Sequence, residues 1–409
     1  MARSNRKIAM AMIPFRRGAE EGDSLVKEIT RYIKPRIERE LWARAAGRCQ
    51  FSGCNRILYK SPITQDHVNI SERAHIYSFS EKGPRGWGPF KKNPKGLNDV
   101  SNLLLVCHDC HKTIDRDKEG ERYSAELLIK WKNEHEKRIA IVTGVNPTKK
   151  SHVILYGANI GNQTSKLQPE AAKEALFPDS YPAEEHPIHL SMSWEGKDSE
   201  PAYWKTEADN LETAFNRQIR PLFDGIECPH LSLFALAPMP LMILFGSLLT
   251  DKVPAQTYQL HREPFQTWCW LDKPTDFKFL VNRPASYQHA PVLVISLSDH
   301  IAPSRITQVV GEAVSIWELT IDRPHNDFLK SKEQLSQFRE IVRKLIVDIG
   351  NEHGKDTPLA IFPAMPVACA IDLGRVRMPK ADGPWIIYDQ NNECNKFIRA
   401  LEIGGSDHG

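Results

Sequence analysis

The sequence predicts a multidomain protein in which a small α+β module is followed by a larger α/β domain. Four of the eight cysteines form two close pairs, Cys49/Cys54 and Cys107/Cys110, within a loop-rich stretch at residues 48–115. Residues 144–150 have the composition of a linker. Beyond them, short apolar runs alternate with helical periodicity, which is typical of α/β domains. We therefore expect domains at residues 1–145 and 151–409.

Two helices are predicted to frame the N-terminal module. Residues 24–46 repeat an apolar side chain every four positions, which indicates an amphipathic helix: Leu25, Ile29, Ile33, Ile37 and Leu41. Residues 124–141 form the second helix, with Ser124 as its N-cap and an apolar face that consists of Leu127, Leu128, Trp131 and His135.

The second domain is predicted to contain strands at residues 152–156, 231–237, 292–297, 315–321 and 359–362, and a helix at 333–352. Residues 234–240 and 360–366 resemble each other, and each leads into an apolar helical stretch. Each is followed by a Trp-bearing segment that ends in Asp, at residues 268–272 and 385–389. Two related α/β units explain this pattern, and chance similarity of two proline-rich turns is the alternative.

Charge divides between the two parts of the chain. Residues 1–150 hold 30 Lys+Arg against 18 Asp+Glu, whereas the remainder holds 24 against 33. A basic module joined to an acidic one fits a protein whose first domain alone meets a polyanion. The most apolar stretch, residues 231–249, is interrupted by Pro238, Pro240 and Gly246, so no membrane span is expected. Without an export signal near the start, we expect a cytoplasmic protein.

The paired cysteines are interpreted as zinc ligands, because disulfides are rare in the cytoplasm and zinc prefers four soft ligands in a tetrahedron. A structural zinc site without chemistry would explain these pairs equally well. The remaining cysteines are scattered and are expected to be small buried hydrophobic residues: Cys228, Cys269, Cys369 and Cys394.

The residues around the pairs add a catalytic pattern. A Glu-Arg-Ala-His segment, residues 72–75, precedes a glycine-rich loop, and then an Asn-rich segment, residues 98–102, leads into Cys107. His111 and Asp115 follow on a predicted helix. Over residues 42–118 this order resembles the HNH endonucleases, whose ββα-metal fold places a His on a strand, an Asn in the loop and a His on the helix.

The resemblance implies a role for each residue. His75 is the general base that activates water, with His67 as the alternative, and Asn102 fixes the loop and orients His75. His111 and Asp115, four residues apart on one helix face, are expected to share a catalytic Mg²⁺ or similar divalent cation. Ala74 occupies a position where many HNH enzymes carry a metal ligand, and Glu72 is expected to substitute.

The loop between His75 and Asn102 is basic and is expected to contact DNA phosphates, with two aromatic residues beside them. A solvated charged loop is the alternative interpretation. The residues in question are Lys82, Arg85, Lys91, Lys92, Lys95, Trp87 and Phe90.

No common catalytic motif occurs in residues 151–409. Ligands of open α/β sheets bind near strand ends and helix N-termini, so residues 237–240 and 363–366 are the expected pocket loops. Residues 231–249, 258–270 and 362–389 resemble the SAVED domain, a fused pair of CARF-like α/β units. The expected ligand-binding residues are Pro238, Met239, Pro240, Arg262, Trp268, Trp270, Pro363, Met365, Arg375, Lys380 and Trp385.

The combined resemblance is to the HNH–SAVED effectors of bacterial CBASS anti-phage systems. It implies that a cyclic di- or trinucleotide binds the second domain, that the protein forms a homo-oligomer, and that the nuclease then degrades double-stranded DNA. One alternative is a modification-dependent restriction endonuclease whose C-terminal domain reads DNA, although the acidity of that domain argues against it. A zinc-stabilised binding protein without activity is the other.

Overall fold

The computed structural model describes residues 31–161, 163, 165, 167–191, 196–224, 229–271, 277–391 and 393–404. The chain forms two compact units, Met1–Gly144 and Val145–Gly409, whose boundary falls at the start of the predicted linker. Cys228, Asp272 and residues 24–30 of the first predicted helix lie outside the described residues. None of the described helices is both long and apolar enough to cross a membrane.

The first unit is a two-stranded antiparallel hairpin surrounded by three helices. Its elements are α1 (Pro35–Ala45), β1 (Ser71–His75), β2 (Leu103–Cys107), α2 (His108–Asp115) and α3 (Ala125–Thr143). In the hairpin, His75 pairs with Leu103 and Ser71 with Cys107. Every residue of β2 is buried, and α2 follows it without a gap, so a β-β-α arrangement forms.

The predicted helices of this unit are confirmed with one correction. Ser124 caps α3 by accepting a hydrogen bond from the backbone N–H of Leu127. The first helix begins at Pro35, and residues 31–34, which were predicted to be helical, are not. Proline favours the first turn of a helix, which explains this start. Leu41 is fully buried in the core of the unit, together with Leu128.

The second unit contains two sheets, as the α/β prediction requires. The first has strand order β4-β3-β6-β7, with β5 also pairing with β3, and all its pairings are parallel. Its elements are β3 (Lys150–Gly157), α4 (Pro169–Leu176), β4 (Tyr181–Pro182), β5 (Ile188–His189), α5 (Pro201–Gln218), β6 (Leu231–Leu236), α6 (Met239–Leu249) and β7 (Ala255–Thr257).

The second sheet has strand order β13-β12-β11-β9-β10-β8, with parallel strands inside and an antiparallel strand at each edge. Its elements are β8 (Phe279–Asn282), β9 (Ala290–Ser296), α7 (Pro303–Val310), β10 (Val314–Ile321), α8 (Lys332–His353), β11 (Leu359–Ala364), α9 (Val367–Val376), β12 (Trp385–Asn391) and β13 (Lys396–Ile403). The predicted strands at 292–297, 315–321 and 359–362 and the helix at 333–352 lie here.

Helices α6 and α9, which follow the two similar turns, pack closely against each other. A methyl group on Gly246 would collide with the carbonyl oxygen of Ile371, and one on Gly374 would collide with that of Ile243. This reciprocal contact relates the two halves of the unit. The predicted repeat extends no further, because residues 385–389 form part of β12 whereas residues 268–270 form no strand.

Candidate functional site

The four paired cysteines converge in the first unit. The sulfur atoms of Cys49, Cys54, Cys107 and Cys110 all lie within 4.8 Å of one another, and Cys54 Sγ is 3.9 Å from Cys107 Sγ. Four thiolates around a zinc ion at the usual bond length would be separated by about 3.8 Å. The donor set and its spacing therefore fit a tetrahedral zinc ion.

The strand and helix positions of the cysteines explain how the site forms. Cys107 ends β2, Cys110 lies in the first turn of α2, and the backbone N–H of Cys107 donates to Cys49 Sγ at 3.3 Å. Burial raises the pKa of the Cys49 thiol to about 12, and it raises that of Cys110 as well. A bound cation would favour the thiolate forms that burial disfavours.

His75 lies at the end of β1 and contacts an asparagine that the sequence analysis did not single out. Its Nε2 is 3.0 Å from Asn98 Oδ1. Because an amide oxygen only accepts hydrogen bonds, Nε2 carries the proton and Nδ1 of the neutral ring is free to accept one. Burial lowers the pKa of His75, the Asn98 hydrogen bond opposes this, and the charges of His111 and Arg31 lower it further.

Asn102 bonds to the loop backbone, but no direct hydrogen bond joins it to His75. Its side chain is buried, and its Oδ1 accepts the backbone N–H of Tyr77 at 2.8 Å. Its Nδ2 donates to the carbonyls of Leu97 at 2.9 Å and Tyr77 at 3.1 Å. The role of orienting the ring therefore belongs to Asn98. Both asparagines lie in the segment that the motif identified, but the motif does not reveal which one reaches the ring.

His111 and Asp115 form the expected pair on α2. His111 Nδ1 lies 3.5 Å from Asp115 Oδ2, and both side chains are partly exposed. Mg²⁺ commonly takes one or two protein ligands and completes its shell with water and substrate phosphate. This pair fits such a cation. Among the described residues, the four cysteines form the one cluster of three or more side chains that could bind a metal ion.

Glu72 does not complete the catalytic site, so that prediction is wrong. Alternate residues of a strand face opposite sides, which places Glu72 on the side of β1 opposite to His75. Its carboxylate instead lies 3.5 Å from His108 Nδ1. His67, the alternative base, is exposed in the loop before β1.

Arg85 has a structural position rather than the predicted phosphate contact. Its guanidinium donates to three backbone carbonyls, those of His75, Ile76 and Tyr123. Burial lowers its pKa, which the nearby Asp117 and Asp115 oppose. The indole of Trp87 donates to the Phe79 carbonyl. Four lysines of the loop are exposed: Lys82, Lys91, Lys92 and Lys95.

The second unit contains a cleft of about 360 Å³ at the predicted strand-to-helix turns. The turn before α6 contributes Pro238 and Met239, and the turn before α9 contributes Met365. Arg262 also lines the cleft. The structure thus brings together these four of the residues expected to bind a ligand.

The other seven expected residues do not line this cleft. Arg375 donates to the carbonyls of Val253 and Ala255 and pairs with the buried Asp372, so it is a core residue. Four more residues are buried and do not line the cleft, namely Pro240, Pro363, Trp268 and Trp385, and of these Trp268 lines a separate pocket. Trp270 packs half-buried beside His261, and Lys380 lies in an exposed turn after α9. Sequence alone does not separate a buried tryptophan from a base-stacking one.

Polar residues that the sequence analysis missed complete the cleft. Asp198, Asp327 and Asp389 line it, and they come from three distant parts of the chain. Lys330 neutralises Asp327, whereas Asp198 accepts the backbone N–H of Gly161 at 2.8 Å. Burial, with the neighbouring Asp198, raises the pKa of Asp389 to about 8.

Two family models match the chain. Residues 49–118 match the family described as HNH endonuclease, and residues 211–403 match the SMODS-associated and fused to various effectors sensor domain, SAVED. The first match contains His75, Asn98 and His111, and the second contains both turns of the cleft. None of the curated proteins is similar enough in sequence to match the chain.

Solved structures with a similar arrangement are Cap4 SAVED/CARF-domain containing receptors. The one from Acinetobacter baumannii with the cyclic trinucleotide 2′3′3′-cAAA is 13% identical, with a TM-score of 0.40, over 72% of this chain and 60% of that one. The same receptor with the cyclic trinucleotide 3′3′3′-cAAA is 12% identical, with a TM-score of 0.39, over 76% of this chain and 66% of that one. The receptor from Moraxella osloensis is 11% identical, with a TM-score of 0.36, over 77% of this chain and 70% of that one. The chain thus spans less than two thirds of the two Acinetobacter structures.

Proposed function

We propose that this chain, which joins an HNH endonuclease domain to a SAVED sensor domain, degrades double-stranded DNA when a cyclic oligonucleotide binds its second unit. The observation that carries the proposal is the hydrogen bond between His75 and Asn98, near His111, in one chain with a SAVED cleft. An anti-phage role follows from the same pairing of a nuclease with a nucleotide sensor.

His75 acts as the general base in this mechanism. With Nε2–H bonded to Asn98, its Nδ1 takes a proton from the water that attacks the phosphorus. Burial lowers the pKa of the ring and so favours its neutral form, which is the form that accepts a proton. Asn102 holds the loop that contains Asn98, so the ring is oriented before substrate binds.

His111 and Asp115 would hold the catalytic cation, and Cys49, Cys54, Cys107 and Cys110 the structural zinc. A divalent cation supplies stabilisation of the negative charge that develops on the phosphate and the departing oxygen. The exposed lysines of the loop would bind the DNA backbone without reading sequence.

Control by assembly is the second part of the proposal. An HNH site cuts one strand, so two sites must act together for a double-strand break, and a non-specific nuclease that was always active would digest host DNA. A ligand shifts an assembly equilibrium only if it binds the assembled form more tightly. We therefore propose that the cyclic oligonucleotide stabilises a homo-oligomer.

Sedimentation velocity of the full chain across a panel of cyclic di- and trinucleotides tests this part, with cleavage measured in parallel. The proposal requires that one nucleotide increases both the sedimentation coefficient and the cleavage rate. A nucleotide that binds and changes neither would refute control by assembly and favour the restriction-type alternative.

A further inference from the structure

The segment that precedes α1 lies beside the proposed general base, although it falls outside the residues that match the HNH family. The backbone carbonyl of Tyr32 accepts a hydrogen bond from Asn98 Nδ2 at 3.4 Å. Asn98 Oδ1 in turn lies 3.0 Å from His75 Nε2. One asparagine side chain therefore contacts both the general base and this segment, whereas the family match begins only at Cys49.

An aromatic contact places Arg31 next to the same ring. The guanidinium carbon of Arg31 lies 5.5 Å from the centroid of the Phe79 ring. The Phe79 ring packs edge-on against His75, and the two ring centroids are 5.8 Å apart. The guanidinium is therefore no farther from the imidazole than the sum of these two distances. Burial is the main cause of the lowered pKa of His75, and the charges of His111 and Arg31 add to it.

The guanidinium of Arg31 is available to a ligand. Its side chain is exposed, and no carboxylate within the described residues pairs with it. Contact with an aromatic ring holds a guanidinium in place without using its N–H donors, of which it has five. A planar guanidinium binds a phosphate through two parallel hydrogen bonds. An exposed arginine without an acidic partner, beside the base of a nuclease, is therefore suited to a DNA phosphate.

The position of Arg31 indicates which phosphate it meets. In the proposed mechanism, the water activated by His75 and the cation held by His111 and Asp115 act at the phosphate under attack. Arg31 contacts the imidazole only by way of Phe79. Neighbouring phosphates of one DNA strand are about 3.4 Å apart along the helix axis. A phosphate next to the one under attack is therefore within reach of an arginine that lies one aromatic ring away from the base.

We propose that Arg31 binds a phosphate of the cleaved strand, next to the phosphate under attack, and so holds the strand against His75. The contact is to the DNA backbone, so it adds affinity without reading sequence. This inference rests on the proposed function, since it assumes that DNA is the substrate.

Cleavage kinetics of the full chain on a fluorescent linear duplex test it, with Mg²⁺ and whichever cyclic di- or trinucleotide gives the fastest cleavage. Initial rates are measured over a range of DNA concentrations and from about 50 to 200 mM NaCl. We expect Arg31→Ala to raise KM about tenfold while kcat changes less than about twofold, because one charge-assisted contact to bound DNA is lost. The slope of log(kcat/KM) against log[NaCl] should become less steep by about one.

Arg31→Lys retains the charge and loses the planar fork, so it should keep the wild-type salt slope with an intermediate KM. Arg36→Ala is the matched control, because this exposed arginine of α1 carries the same charge five residues away. It should retain the wild-type KM and salt slope.

Three results would overturn the inference while the nuclease stands. One is an unchanged KM and salt slope in Arg31→Ala, and another is the same change in Arg36→Ala, which would show an effect of net charge alone. The third is a fall in kcat at constant KM, which would show that Arg31 supports the fold of the site. If wild-type protein cleaves no DNA with any nucleotide of the panel, the proposed function fails and the inference fails with it.

Discussion

Replacing Asn98 with alanine removes the acceptor that fixes the tautomer and direction of the His75 ring. The hydrogen bond spans 3.0 Å in a partly buried position, and the ring has no other hydrogen bond among the described residues. Loss of a comparable partner of a functional histidine costs about 10–100-fold. This corresponds to about 1.4–2.7 kcal/mol of transition-state stabilisation. We therefore expect Asn98→Ala to cleave DNA about 10–100-fold more slowly than wild type.

The pH profile distinguishes this role from a structural one. His75 acts in its neutral form, so the cleavage rate rises with pH through its pKa, which burial lowers and Asn98 raises. Asn98→Ala should therefore shift the acidic limb of the profile to lower pH. Asn98→Asp places a negative charge beside the ring and should shift that limb to higher pH.

The assay is single-turnover plasmid cleavage by the full chain, with activating nucleotide and saturating divalent metal, from about pH 5 to 8. Asn93→Ala is the control, because this exposed asparagine lies in the same loop. If Asn98→Ala cleaves at the wild-type rate with an unshifted acidic limb, Asn98 does not position the base.

Three further predictions concern the base, the zinc site and the helix pair. His75→Ala should reduce the cleavage rate by about 10²–10⁴-fold, whereas His67→Ala, at an exposed residue, should cleave at the wild-type rate. The reverse result would show that His67, and not His75, is the general base. Metal analysis of the wild type should find about one zinc per chain; Cys49→Ser should lose this metal and unfold the first unit, whereas Cys269→Ser, exposed in the second unit, should retain it. Gly374→Ala should destabilise the second unit by about 1–3 kcal/mol, because its methyl collides with the facing helix; an unchanged thermal unfolding temperature would contradict that packing.

The sequence predicted features whose information is local. Two cysteine pairs at knuckle spacing predict the four-cysteine cluster, Ser124 before an apolar repeat predicts a helix start, and His111 with Asp115 predicts one helix face. Such patterns depend on neighbours within about one helical turn, so they can be recognised in the sequence without knowledge of the fold.

The remaining features depend on how distant segments meet. Asn98 reaches His75 only because short 3-10 turns at Gly88–Lys92, Pro94–Asn98 and Val100–Asn102 shape the loop between them. Trp385 is buried in the core, although its sequence context also suited base stacking. Asp198 and Asp389 are nearly two hundred residues apart, and no periodicity in the sequence places both carboxylates in one cleft.

Plasmid digestion by the wild-type chain with Mg²⁺, in the presence and absence of cyclic oligonucleotides, tests the central claim most directly. We expect supercoiled plasmid to remain intact without nucleotide and to be degraded through linear products when the activating nucleotide is added. Chelation of the metal should stop the reaction. Complete digestion without any nucleotide, or the same slow rate with every member of the panel, would contradict a nuclease that its second unit controls.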